Sequence, residues 1–176
     1  ARLASAPPSS RPAVLRRLVE EREAGEEMME ALIEKEWYYR SYELDRSDYR
    51  FSGWREGRNP NPWFDGAWYL SQNPDVHKQG DCPLEHFVFF GSTQGRDPHP
   101  LFRTAWYARH FLGNAGAGAE ALLHFMKIGI KNGNVPDPRL ATISLQSRLC
   151  GVPAARRPKL IQRLIELLHK VQLQSE

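Results

Sequence analysis

The strongest amphipathic pattern in this chain lies near its C-terminus. Leu160, Ile161, Leu164, Ile165, Leu168 and Val171 form a stripe along one face of a helix. Leu167 and Leu173 widen the stripe, and Pro158 suits a first turn, where a missing N–H costs nothing. This predicts a helix over 158–173, with the stripe as its core or oligomer face. At the other end, Val14, Leu15, Leu18, Met28, Met29, Leu32 and Ile33 predict a helix from Ala13 to Glu36. Gly25 weakens its middle by about 1 kcal/mol relative to alanine. A shorter helix is expected from Ala141 to Cys150, ended by Gly151 and Pro153.

Between the flanks the punctuation repeats. Gly53, Gly91 and Gly129 are 38 residues apart, as are Gly57, Gly95 and Gly133, Pro60, Pro98 and Pro136, and Pro62, Pro100 and Pro138. Trp68-Tyr69 returns as Trp106-Tyr107, and Leu84, His86 and Phe87 return as Leu122, His124 and Phe125. An earlier copy is shortened: Trp37-Tyr38 precedes Trp68-Tyr69 by 31 residues, with the polar stretch from Ser41 to Ser47 between its apolar parts. Self-similarity at a fixed period points to stacked supersecondary units.

Each unit has a local logic. Asp65 is placed to cap a helix carrying Trp68 and Tyr69, and Thr104 takes the neighbouring role in the next unit. Asn73-Pro74 stops that helix, and Pro83 opens a second with Leu84, Phe87, Val88 and Phe90 as its apolar face. Gly91 and Gly95 allow tight turns, and Asp97-Pro98-His99-Pro100 makes a stiff extended link. Two short helices cannot bury their faces alone, whereas stacked neighbours can. The expectation is an all-α fold: three stacked helix-turn-helix repeats of 38 residues, the first shortened, between longer amphipathic terminal helices. The chain divides into a disordered tail (1–12), an N-terminal helix (13–35), a repeat domain (36–62, 63–100 and 101–138) and a C-terminal helical segment (139–176).

Composition changes this picture little. With 176 residues, 41% hydrophobic and 26% charged, the chain is of globular type. No apolar run approaches a membrane span, and Ala1 to Pro12 lacks the apolar core of a signal peptide. The net charge of +3 is unevenly spread: residues 1–36 carry −2, residues 37–138 carry 0 and residues 139–176 carry +5. Mutual attraction of the two ends accounts for this better than nucleic acid, for which no motif is present, or a membrane surface. Cys82 and Cys150 are too few for a disulfide scaffold or a cysteine-based zinc site, and free thiols and a bridge between them both stay open.

The segments FDGAWYLSQNPDV, PLEHFVFFG and GRDPHPLF resemble a bacterial repeat found beside glycosyltransferase domains of surface-polysaccharide biosynthesis, and in some secreted adhesin-like proteins. The match covers about 36–138 and is closest over Trp63 to Pro100; the Asn-Pro-Asp-Val segment is missing from the following unit. The resemblance implies a polysaccharide setting, at the cytoplasmic face of an assembly system or at the cell surface, and no catalytic residue. Ala1 in place of an initiator methionine and the Gln172–Glu176 end read as those of a piece cut from a larger glycosyltransferase.

Candidate chemistry is sparse. His86 and His124 occupy one repeat position and read as helix-face histidines bonded to a turn, without the accompanying ligands a metal needs. Asp75, Asp81, Glu85 and Asp97 sit beside Pro and Gly, where aspartate caps and turns. They are also the residues from which an enzyme site assembled across units would be built. The stretch Gly113 to Ala119 lacks the full dinucleotide fingerprint and reads as a flexible loop. Trp37, Trp68 and Trp106 share one repeat position and are expected in the core. Trp54 and Trp63 break the repeat, their counterparts being Ser92 and Leu101; they are expected to pack against the next unit and, where exposed, are the candidates to stack on a sugar. Arg58 and Arg96 recur, with Asn134 in their place in the third unit; they are expected to hydrogen-bond the carbonyls of their own turns and are the candidates for a glycan carboxylate.

The expected function is a non-catalytic accessory module that binds surface polysaccharide or docks a protein of that pathway, with no catalytic residues, no metal and no cofactor. The alternatives are a protein scaffold that oligomerises through its terminal helices, and a glycan-processing enzyme.

Overall fold

The structure, a computed structural model, describes residues 11–44, 48–114 and 118–142. Among these residues the chain is all-α, and the one extended pairing is an isolated bridge between His99 and Phe102. Helix α1 spans Arg11–Leu32 and α2 spans Lys35–Tyr42. There follow α3 (Gly66–Gln72), α4 (Pro74–Gln79), α5 (Pro83–His86), α6 (Thr104–Tyr107), α7 (Gly118–His124), α8 (Ile130–Asn132) and α9 (Pro138–Thr142). Wide π turns occupy Tyr49–Gly53, Phe87–Gly91, Ala108–Leu112 and Phe125–Gly129. The predicted helix over 158–173 lies outside the described residues, with its stripe of Leu160, Ile161, Leu164, Ile165, Leu168 and Val171. So do Cys150, the 1–10 portion of the tail and the 143–150 portion of the shorter predicted helix.

The 38-residue spacing returns as recurring contacts. Phe64 packs on Tyr69 and Phe87, and Phe102 packs on Tyr107 and Phe125, all fully buried. Leu84 and Leu122 fill matching places. Each link folds back on the start of its own unit: Glu34, Asp65 and Arg103 donate their N–H groups to the carbonyls of Pro60, Pro98 and Pro136. Each link is also tied forward. Asn59 Oδ1 accepts from the Gly66 N–H at 2.9 Å, and Asp97 Oδ1 from the Thr104 N–H at 2.8 Å. Within the links, Asn61, His99 and Asp137 are buried and accept from the N–H two residues on. Helix α1 lies across α7 and the Phe87–Gly91 turn, so it bridges the last two units.

Several expectations are corrected. The second unit holds three helices, not two, because Pro74 begins α4 at once while Asn73 closes α3, its Nδ2 donating to the Tyr69 carbonyl at 2.7 Å. Asp65 caps α3 through the Trp68 N–H at 2.9 Å, but Thr104 caps nothing: it is the first residue of α6 and its hydroxyl donates to the Arg96 carbonyl. Phe90 is 57% exposed, because the π turn widens the helix and rotates Phe90 off the face of Leu84 and Phe87. Gly118-Ala119 is the opening of α7 rather than loop, with Gly118 pressed against Ser92. Trp37, Trp68 and Trp106 are only half-buried, whereas the adjacent Tyr38, Tyr69 and Tyr107 are the core residues. Neighbouring residues on a helix point about 100° apart, so one of each pair faces the core.

Candidate functional site: a polar groove between two units

His86 and His124 do not bond to turns. Tyr69 Oη and His86 Nδ1 are 2.9 Å apart, and Tyr107 Oη and His124 Nδ1 are 3.0 Å apart. The first unit has Asp48 at this position, accepting from Tyr38 Oη at 2.8 Å. The third partner varies to suit. Arg58 pairs with Asp48 at 2.8 Å, Asn134 donates to Tyr107 Oη at 3.2 Å, and Arg96 is drawn away from His86 to Asp75 at 2.7 Å. A cation is thus paired with the acid, and the neutral amide stands beside a histidine. Burial opposes ionisation of Asp48, but the hydrogen bonds from Tyr38, Arg58 and Ser52 prevail and hold its carboxyl near 2. Burial and the charge of Arg96 lower the pKa of His86.

The candidate sugar-stacking residues fare differently. Trp63 is 3% exposed, its ring edge-to-face with Phe125 at 4.6 Å, so it is a core residue and not a binding platform. It breaks the repeat because it reaches into the next unit. Trp54 is half-buried, and the Arg55 guanidinium covers one ring face at 4.3 Å. The guanidinium of Arg58 is engaged by Asp48 and Glu56, and that of Arg96 by Asp75, Asn73 and Gln94. Trp54, Arg58 and Arg96 do not converge on one site. Asp75 and Asp97 are engaged by Arg96 and Arg103, while Asp81 and Glu85 are exposed. Among the described residues no group of three or more His, Cys, Asp or Glu side chains is placed to hold a metal.

What the sequence reading missed is a polar groove of about 450 Å³ where α3, the link after Gly95 and the start of α9 meet. Trp68, Gln72, Arg96, Asp97, Arg103 and Arg139 line it. Gly95 makes the turn into the link with a φ of +75°, a conformation glycine adopts without strain. Arg103 Nη1 donates to Asp97 Oδ2 at 2.8 Å, and its Nε lies 3.4 Å from Asp137 Oδ2. Arg139 donates from Nε and Nη2 to Asp137 and from Nη2 to the Pro100 carbonyl at 2.8 Å. Asp137 is fully buried; burial pushes its carboxyl up, but the hydrogen bonds of Arg139 and the charge of Arg103 hold it below the usual range. Three arginines are thereby oriented by three aspartates, Asp75, Asp97 and Asp137. Trp68 stands at the groove and is absent from the hydrophobic cluster that takes in Trp54 and Trp106.

The groove is built where the repeat is broken. Arg103 stands where the preceding unit has Asp65, and Arg139 where the earlier links have Trp63 and Leu101. The corresponding junction of the first two units therefore lacks both cations. That substitution pattern was the available sequence signal.

A second, larger and more apolar groove of about 850 Å³ runs between α1 and the second and third units. Leu18, Met28, Val88, Phe89 and Ala119 contribute to it, and Leu15 and Val19 are exposed on the same helix. No described helix is long and apolar enough to cross a membrane.

No protein-family model, no curated protein and no solved structure matches this chain.

Proposed function

We propose that this chain is a carbohydrate-binding accessory module of a bacterial surface-polysaccharide system, with the groove at Trp68 as its binding site. One observation carries this reading. A tryptophan outside the hydrophobic core stands beside arginines already fixed in place by aspartates. An indole face suits the C–H groups of a sugar ring, and planar polar side chains held in advance bind hydroxyls at low entropic cost. The volume falls within the roughly 300–1,000 Å³ of small-ligand sites. The polysaccharide setting is taken from the repeat resemblance. The test is a panel of capsular and O-antigen polysaccharides presented to the chain, with Trp68→Ala in parallel. Saturable binding that Trp68→Ala abolishes while thermal unfolding stays unchanged supports the reading; binding indifferent to Trp68→Ala overturns the assignment of the site.

The second reading is a protein scaffold, favoured by the exposure of Leu15, Leu18 and Val19 on α1 at 51%, 46% and 55%. Its expectation is a self-associated chain that Leu15→Glu with Leu18→Glu makes monomeric by light scattering. A chain already monomeric in the wild type removes this reading for α1.

A further inference from the structure

We propose that the Trp68 groove selects a neutral, hydroxyl-rich sugar over an acidic one. The proposal rests on the carbohydrate-binding reading and reverses the simplest meaning of its arginines. Three arginines around a groove suggest an anion site, but each already has a carboxylate. Arg96 holds Asp75 at 2.7 Å, Arg103 holds Asp97 at 2.8 Å, and Arg139 holds Asp137 at 2.6 Å. The three aspartates cancel the three arginines, so among the described residues the groove has no surplus positive charge to offer. Asp137 has no exposed surface and is bound by two arginines, so it cannot swing aside for an incoming carboxylate. An acidic ligand would sit beside like charges a few ångströms away, which is destabilising.

A hydroxyl faces the opposite situation. It both donates and accepts, and the groove offers both functions in fixed positions. Arg103, whose side chain is 46% exposed, spends Nη1 and Nε on Asp97 and Asp137 and has no protein partner for Nη2 among the described residues. The carboxylate oxygens of Asp97, which lines the groove, accept from Arg103 and the Thr104 N–H and retain further lone pairs. Gln72, exposed at the groove, adds an amide that donates and accepts. Adjacent donors and acceptors of this kind match the vicinal hydroxyls of a pyranose, and Trp68 supplies the apolar wall for its C–H face. Charge pairing therefore orients the polar groups here and leaves no net charge among these six side chains.

The experiment is an array of neutral oligosaccharides, each with its uronic-acid counterpart, read against the full chain at about 0.05 M and about 0.5 M salt, a range over which screening of exposed charges changes strongly. The expected result is binding to one or more neutral members at least about tenfold tighter than to the acidic counterpart, a step equal to about 1.4 kcal/mol. That affinity should change less than about twofold with salt, because a neutral ligand releases no ions. Gln72→Ala and Trp68→Ala should each weaken it; the exposed Gln72 is the variant that leaves the fold untouched. Tighter binding of acidic members, weakened by salt and lost in Trp68→Ala, would overturn the selectivity and keep the site. No binding to either set, or binding untouched by both variants, would overturn the site itself.

Discussion

At the scale of single residues, the molecule turns on a tyrosine hydroxyl repeated at Tyr38, Tyr69 and Tyr107, each facing a glycine. A Cβ built on Gly53, Gly91 or Gly129 would stand 2.1–2.2 Å from that oxygen. These glycines have ordinary negative φ, so close approach and not backbone conformation demands them. Gly91→Ala should destabilise by about 2 kcal/mol through overpacking. In a Tyr69→Phe background the same change should cost clearly less, as a denaturation-based double-mutant cycle would show; strictly additive costs would refute the contact. Tyr49 behaves oppositely. Its hydroxyl is buried with no hydrogen-bond partner of ordinary geometry among the described residues, the buried Cys82 thiol being its polar side-chain neighbour in weak contact, and its repeat counterparts are Phe87 and Phe125. Tyr49→Phe should therefore raise stability, by up to about 1 kcal/mol, since an unsatisfied buried hydroxyl is removed. His86 predicts a pH dependence. Its folded-state pKa lies below the ordinary 6.5, mainly through burial, so near pH 6 the unfolded chain binds more protons. The stability from His86 is then complete above 6.5 and lost as pH falls through the folded value. Thermal midpoints across this window should fall with acidification, and less so in His86→Gln.

At the scale of elements, Gly25 shows how tertiary contact overrides helix propensity. By propensity alone it is a flaw in α1. In the fold it is where the Phe89 ring lies against the helix, with a hypothetical Cβ only 2.1 Å from Phe89 Cε1. Gly25→Ala should lower the thermal midpoint of the wild type. In Phe89→Ala the same substitution should raise it, because the propensity gain of about 1 kcal/mol is then unopposed. An increase in both backgrounds would mean that α1 does not seat on Phe89. The π turns act at the same scale. Proline at Pro83 and the apolar spacing of Leu84 and Phe87 made α5 legible in the sequence. The one-residue widening around Phe90 was not, because no residue type in Phe87–Gly91 marks a π turn in the way that proline marks a helix start.

At the scale of the whole molecule, neighbouring units are joined by the links and by residues that depart from the repeat. Trp63 is the clearest case, reaching from the second unit to Phe125 of the third. Trp63→Ala should cost about 3–5 kcal/mol of unfolding free energy, read from a urea midpoint, without any specific loss of ligand binding. Binding lost at full stability would instead restore Trp63 as a site residue. The second departure, arginine at 103 and 139, forms the groove.

The amino-acid sequence by itself determined the all-α class, the 38-residue period, the cap that starts α3, the proline that starts α5, and the aromatic positions that recur. These follow from local preferences and from periodicity, which need no partner to be read. It pointed to the tryptophan rather than the tyrosine of each Trp-Tyr pair as the buried member, and left undecided which repeat-breaking residue fills the core and which one faces solvent. Those choices depend on what lies opposite in the next unit: Phe125 across from Trp63, Asp137 beneath Arg103 and Arg139, and Phe89 over Gly25. Only the packed chain brings these residues together, so only tertiary structure could separate a core tryptophan from one that stands at a groove.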